Sequence, residues 1–170
     1  MALQSISPVS FESVSNVTAT NSVELGTRRT EGLLDYVYVY NGGAEQISHG
    51  EGGYLSPASM LSGMTVSVSN AASQAGHERF VGVAHNATIT TGAYGWLAVR
   101  GPALIALDGS EVSMNSGVKL APGVDGGFVA RAESVDTGVT AVLDFIGVTI
   151  NSCVTTVGTG KAFIKSPLFS

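Results

Sequence analysis

Hydrophobic and polar positions alternate most strictly in "LLDYVYVYNGG". Tyr36, Tyr38 and Tyr40 fall on one face of a strand and Val37 and Val39 on the other. Both faces are apolar, so this strand should be covered on both sides. Asn41, Gly42 and Gly43 end it with turn chemistry. The remaining chain repeats the theme: "MTVSVS", "RFVGVA", "ATITT", "GWLAV", "ALIAL", "GFVARA", "GVTAVLDFIGVTI" and "KAFIK" are short β-rich runs, separated by breakers such as "RGP", "LDGS" and "APGVDGG". No 12-residue window carries the i, i+3, i+4, i+7 period of an amphipathic helix. Two short helices are the most that can be expected. One is "SPASMLSG", with Ser56 as cap and Pro57 in the first turn, and the other is "NAASQAGHERF".

The expectation is therefore an all-β, β-dominated single domain, a small barrel or sandwich that hides its sheet edges. Residues 1–30 differ in texture. They are rich in Ser, Thr, Val and Asn without a sustained period, and read as an extended N-terminal arm on a core of residues 31–170. Such an arm should be flexible alone, and its removal to residue 28 should leave the core folded. Val14 and Val17, with Thr18 and Thr20, suit a strand added to a neighbour's edge, and Arg28 and Arg29 suit acidic groups where the arm leaves the core.

The only tryptophan lies in "AYGWLAVRGPALIALDG". Alternation puts Trp96, Ala98 and Arg100 on one side and Leu97 and Val99 on the other, a half-buried strand, with Gly101 and Pro102 starting a new strand after it. Trp96 and Arg100 then stand about 13 Å apart at ~3.3 Å per residue, too far for one catalytic cluster but suited to lining an edge or interface. For Tyr36, Tyr38 and Tyr40 two readings stand: a core strand, or a subunit interface of rings with apolar bodies and polar tips.

Composition narrows the function. The 170 residues are 44% hydrophobic and only 12% charged, where an average soluble domain carries about a quarter. Surface so poor in charge points to association with other subunits. A net charge of −5, with eight Lys and Arg spread along the chain, argues against nucleic acid, which needs clustered cations. No apolar run reaches the roughly 20 residues of a bilayer span. "MALQSISPVSFESV" lacks the basic start and apolar centre of a secretory signal, so folding and assembly in a cytoplasm are expected. The sequons at Asn16 and Asn86 are then chance matches. Cys153, alone in the chain, reads as a small core residue.

Catalytic chemistry finds no foothold in the spacing. His49, His77 and His85 share no metal-ligand spacing and could meet only in space. There is no Gly-x-Ser-x-Gly elbow and no phosphate loop. Asp108, Asp125 and Asp136 sit beside or near turn glycines, and Asp144, inside an apolar run, must be paired or face solvent. Neither an enzyme nor a bound cofactor or metal is expected. Small trimeric β enzymes such as dUTPases share this size and texture, but their uridine-binding and phosphate-binding motifs are missing.

Residues 79–128, "RFVGVAHNATITTGAYGWLAVRGPALIALDGSEVSMNSGVKLAPGVDGGFV", resemble the small β-rich decoration, or cement, proteins of tailed bacteriophages. The similarity rests on a hydrophobic-Gly-Val-Ala strand at Phe80 to Ala84, a Trp-containing strand between Gly95 and Gly101, and a Gly-rich turn at Val118 to Gly127. It extends over about residues 33–150. The long arm and the C-terminal "TTVGTGKAFIKSPLFS" depart from the pattern. The resemblance implies a non-enzymatic, typically trimeric virion protein. It would bind the outside of an expanded head and clamp neighbouring major capsid protein subunits. The alternative is a receptor-binding or adhesin-like β module of a virion tail or spike.

Overall fold

A computed structural model describes residues 13–56, 63–68, 79–108, 113–123, 126–130, 146–150, 153–154 and 159–169. Residues 57–62 and 70–78 of the stretches expected to be helical, residues 138–145 of the run around Asp144, and His77 lie outside the described residues, and Phe80, at the end of the second stretch, opens a strand instead. Twelve strands are described: β1 (Arg28–Glu31), β2 (Leu34–Asn41), β3 (Gly52–Leu55), β4 (Thr65–Val68), β5 (Phe80–Val83), β6 (Tyr94–Ala106), β7 (Ser113–Met114), β8 (Lys119–Pro122), β9 (Phe128–Ala130), β10 (Gly147–Thr149), β11 (Cys153–Val154) and β12 (Thr159–Lys165), with a 3-10 turn at Pro167–Phe169. The protein is all-β, as its alternation implies.

Ten strands form one sheet in the order β1-β2-β4-β3-β5-β6-β12-β10-β8-β9. Because β2 also pairs with β6, strands β2, β4, β3, β5 and β6 close into a five-stranded barrel. Its seam is the short parallel pairing of β2 with β4, Tyr40 opposite Thr65 and Asn41 opposite Val66. Asn41 fixes that corner. Its buried amide donates to the carbonyls of Glu45 (2.9 Å) and Ile89 (3.0 Å), and its side-chain oxygen accepts from the Gly43 N–H (3.1 Å). A fully buried Asn satisfied in this way costs little and specifies one geometry.

The barrel interior takes Val37 and Val39 from β2, Val66 from β4, Val81 from β5, and Leu97 and Val99 from β6, closed at one end by Ile47 and Ile89. The lumen is so tight that a Cβ on Gly53 would stand 2.5 Å from Leu97 Cδ1. It is a core packed by side chains.

Strand β6 is 13 residues long and serves two walls. Its first half pairs with β2, and its second half pairs with β12 from Arg100 opposite Lys165 to Ala106 opposite Thr159. Beyond β12 the sheet runs through β10 and β8 to β9. There Phe128 bridges Leu107, and the Asp108 N–H donates to the Phe128 carbonyl (2.9 Å), so this wing curls back onto the end of β6.

The expectation of two separate strands around Gly101 and Pro102 is corrected: the strand continues. Gly101 adopts φ +108, and a Cβ there would lie 2.1 Å from the Leu33 carbonyl oxygen, so only glycine fits. The strand changes phase just before this kink, where the pairing with β2 shifts register between Ala98 and Arg100, opposite Tyr36 and Asp35. Trp96 and Ala98 point to the second core before it, and Ala103, Ile105 and Leu107 do so after it. Proline is tolerated because the N–H groups of Leu104 and Ala106 donate away from β12, to His85 Nδ1 and the Gly50 carbonyl. By alternation the Pro102 nitrogen faces that same side, where the β12 ladder needs no donor.

The N-terminal residues also differ from expectation. Residues 1–12 lie outside the described part, but from residue 13 the chain lies on its own core. Thr18 exchanges two backbone hydrogen bonds with Tyr94 (3.1 and 2.8 Å), and the Gly26 N–H donates to the Tyr38 carbonyl (2.8 Å). Val14 is buried in the core cluster that also holds Tyr38 and Trp96, and Val23 and Leu25 pack against that cluster. The boundary at residue 30 runs through β1, which forms a hairpin with β2. The missing periodicity misled because this segment docks through single side chains and backbone pairing, not through a regular apolar face.

Candidate interaction surface

Tyr36 and Tyr38 project from the outer wall of the barrel, yet both are buried, as is Trp96. Tyr38 is directly opposite Trp96 in the β2–β6 register, with ring centroids 5.0 Å apart and the planes tilted by 57°. Tyr94 stacks on Tyr38 at 6.1 Å and meets Tyr40 at 4.9 Å. Hydroxyls are matched locally: Ser22 Oγ lies 3.1 Å from the Tyr38 hydroxyl, and Asn86 Nδ2 donates to that of Tyr36 (3.0 Å). Burial raises the Tyr36 pKa above its ordinary value, partly offset by that bond to Asn86.

Of the two readings of these tyrosines, the core-strand reading describes Tyr36 and Tyr38, and Tyr40 is half-buried at the strand end. Trp96 is corrected likewise: it is buried in the same core cluster as Val14, so it lines no open edge. Val14 is in the same core, and Val17 packs on the barrel cluster. The remaining candidates are cations. Arg28 stacks over the Phe169 ring at 4.5 Å, Arg29 pairs with Glu31 at 2.5 Å, and Arg100 is exposed.

Among the described residues, two buried polar atoms find no hydrogen-bond partner, the Tyr54 hydroxyl and Trp96 Nε1. Burial pushes the Tyr54 hydroxyl far above the usual tyrosine range, so it stays protonated.

His49 and His85, 36 positions apart, do meet in space. Their rings are 6.5 Å apart, and His49 Nε2 contacts the His85 backbone carbonyl. His85 Nδ1 accepts from the Leu104 N–H (2.9 Å), which fixes that nitrogen as unprotonated. Partial burial, then His49 and Lys161, lower the His85 pKa. Among the described residues no three His, Cys, Asp or Glu side chains stand close enough to hold a metal ion. A dent of about 80 Å³, lined by Gly43, Ala44, Glu45, Ser67 and Val68, follows β2, small beside the several hundred Å³ of typical ligand pockets.

A surface not singled out by the sequence reading is the outer face of β6, β12, β10 and β8. Strand β12 alternates without a break: Thr159, Lys161, Phe163 and Lys165 face out while Gly160, Ala162 and Ile164 are buried. Registers extend this across the sheet, because directly opposite residues share a face. One row reads Lys119, Val148, Phe163, Pro102, and the neighbouring rows place Leu104 beside Lys161 and Arg100 beside Lys165. Phe163 is 49% exposed. "KAFIK" carried the alternation on its own, but only the register brings Lys119 and Arg100 to it.

Fold and surface together define a small all-β protein: a closed barrel whose long strand β6 also founds a second, curled wing. In comparisons with known proteins, no family model and no curated sequence matches the chain.

Proposed function

We propose that this chain is a non-enzymatic structural protein of a tailed-phage virion, a homotrimer that binds the outer capsid surface and stabilises the major capsid protein lattice. The observation that carries the reading is the resemblance of residues 79–128 to capsid decoration proteins, a stretch that supplies β5 to β8 and begins β9. These strands include β6, the wall common to both cores. Supporting it are the low charge content and a barrel filled by its own side chains, which suit a rigid clamp. Assembly would follow synthesis in the bacterial cytoplasm, with the protein ending on the head exterior.

The test mixes purified protein with expanded, undecorated heads and images them by electron microscopy. Regular density on the outer lattice is the expected result. Density at the tail tip alone would move the protein to the receptor-binding alternative, and density on neither structure would overturn the decoration reading.

A further inference from the structure

The sequence holds one Asn-Gly step, Asn41–Gly42, and the barrel seam calls for both residues. Asparagine suits position 41 because one buried side chain there donates to two carbonyls, those of Glu45 (2.9 Å) and Ile89 (3.0 Å), and accepts from the Gly43 N–H (3.1 Å). Glycine suits position 42 because a Cβ would stand 2.6 Å from Thr65 Cγ2. The same dipeptide is chemically labile. Glycine has no side chain to shield its backbone nitrogen or restrict its approach to the preceding amide, and asparagine is among the residues lost first to heat.

The reaction consumes water and releases ammonia. The Gly42 nitrogen, giving its proton to a solvent base, bonds to Asn41 Cγ; the bond from Cγ to Nδ2 breaks and ammonia leaves, closing a five-membered succinimide. Water then opens the ring to aspartate or isoaspartate. In the folded chain the Gly43 N–H polarises the electrophile, but the other two participants are tied. The nucleophile donates its proton to the Val66 carbonyl (3.0 Å), and the leaving amide is held by Glu45 and Ile89. Asn41 is also fully buried, away from the water and base that the steps need.

We propose that Asn41–Gly42 is a deamidation site that the closed β2–β4 seam holds inert, and that its reaction makes opening of the seam irreversible. Two backbone bonds tie β2 to β4 here, from the Tyr40 N–H to the Met64 carbonyl and from the Gly42 N–H to the Val66 carbonyl (both 3.0 Å). Separation of the strands frees the nucleophile. After reaction the new carboxylate has no N–H for the Glu45 and Ile89 carbonyls and would bring an unpaired charge into a buried corner, so the seam cannot close again. Chemical change of the open state then drains the folded population. The inference does not depend on the capsid reading.

The test follows deamidation of the full chain at mildly alkaline pH by peptide mass spectrometry, with the natural protein folded and, separately, unfolded in urea. Asn115, exposed and followed by Ser116, is the internal control. In urea Asn41 should react ahead of Asn115. In the folded protein the order should invert, with Asn41 slowed at least about a hundredfold, the protection that a closed, cooperative segment gives its buried groups. Val66→Ala, which thins the buried packing of β4, should speed the reaction at Asn41 by about tenfold or more and leave Asn115 unchanged. Asn41→Asp should melt far below the natural protein or fail to fold. Asn41 reacting first in both states would end the claim of protection, and a rate indifferent to Val66→Ala would remove the seam as its gate. An Asn41→Asp variant as stable as the natural chain would show that the reaction does not trap the open state.

Discussion

Tyr38 and Trp96 face each other across β2 and β6 at 5.0 Å, and Ser22, from outside both strands, meets the Tyr38 hydroxyl at 3.1 Å. The N-terminal segment is thus tied to the aromatic pair at the Tyr38 hydroxyl, and Val14 shares its core cluster. Removing residues 1–27 should shift Trp96 emission to the red and lower Tm by roughly 5 °C or more, since about 2 kcal/mol is worth that much in a chain of this size. The milder Val14→Ala, at a buried position, should cost about 2 kcal/mol in urea denaturation. With a single tryptophan in the chain, fluorescence reports this site alone, and an unchanged melt in the truncated protein would detach the segment from the core.

Gly101 kinks β6 directly after its phase reversal. Gly101→Ala would need a side chain at φ +108 and 2.1 Å from the Leu33 carbonyl oxygen. The expected loss is about 3 kcal/mol or more, from backbone strain plus a clash that flexible atoms cannot relieve. A variant melting within a few degrees of the natural protein would mean that the kink is not required.

Tyr54 offers the opposite sign. Among the described residues its buried hydroxyl finds no partner, and removing a buried polar atom that makes no bond is neutral or favourable. Tyr54→Phe should leave the urea midpoint unchanged or raise stability by about 1 kcal/mol. A loss of that size would reveal a bond that the hydroxyl makes.

His85 makes stability depend on pH. Its folded-state pKa is depressed below the ordinary 6.5 by burial, then by His49 and Lys161. Below about pH 6.5 the unfolded chain takes up the proton first, so this site's contribution is present at neutral pH and is lost as pH falls. Protonation also ends Nδ1's role as acceptor for the Leu104 N–H. Comparing Tm at pH 7.5 and 5.0 should show a smaller acid-induced drop in His85→Asn, which keeps an acceptor but does not titrate, than in the natural protein. An equal drop in both would assign the pH dependence to other groups.

Legibility followed the range of the interaction. The two-sided burial of β2 was written in the alternation of Tyr36 to Tyr40, because a strand's side-chain period is a local property. The continuity of β6 was hidden. A Gly-Pro pair ordinarily ends a strand, and only the partners of Leu104 and Ala106 explain why this one does not. The meeting of His49 with His85 and the gathering of lysines around Phe163 depend on sheet register, which no window of sequence contains. The docking of Val14, Ser22 and Leu25 left no periodic trace, since isolated anchors along an irregular path need none.

The shared strand has a mechanical consequence. A protein made of two independently walled cores could shed one under load and keep the other, but here β6 belongs to both. Pulling β12 away from Ala103 and Ile105 strips the wall that also holds Leu97 and Val99 in the barrel lumen. Rupture should then spread through the whole molecule in a single event, with the amides of β6 among the last to exchange with solvent.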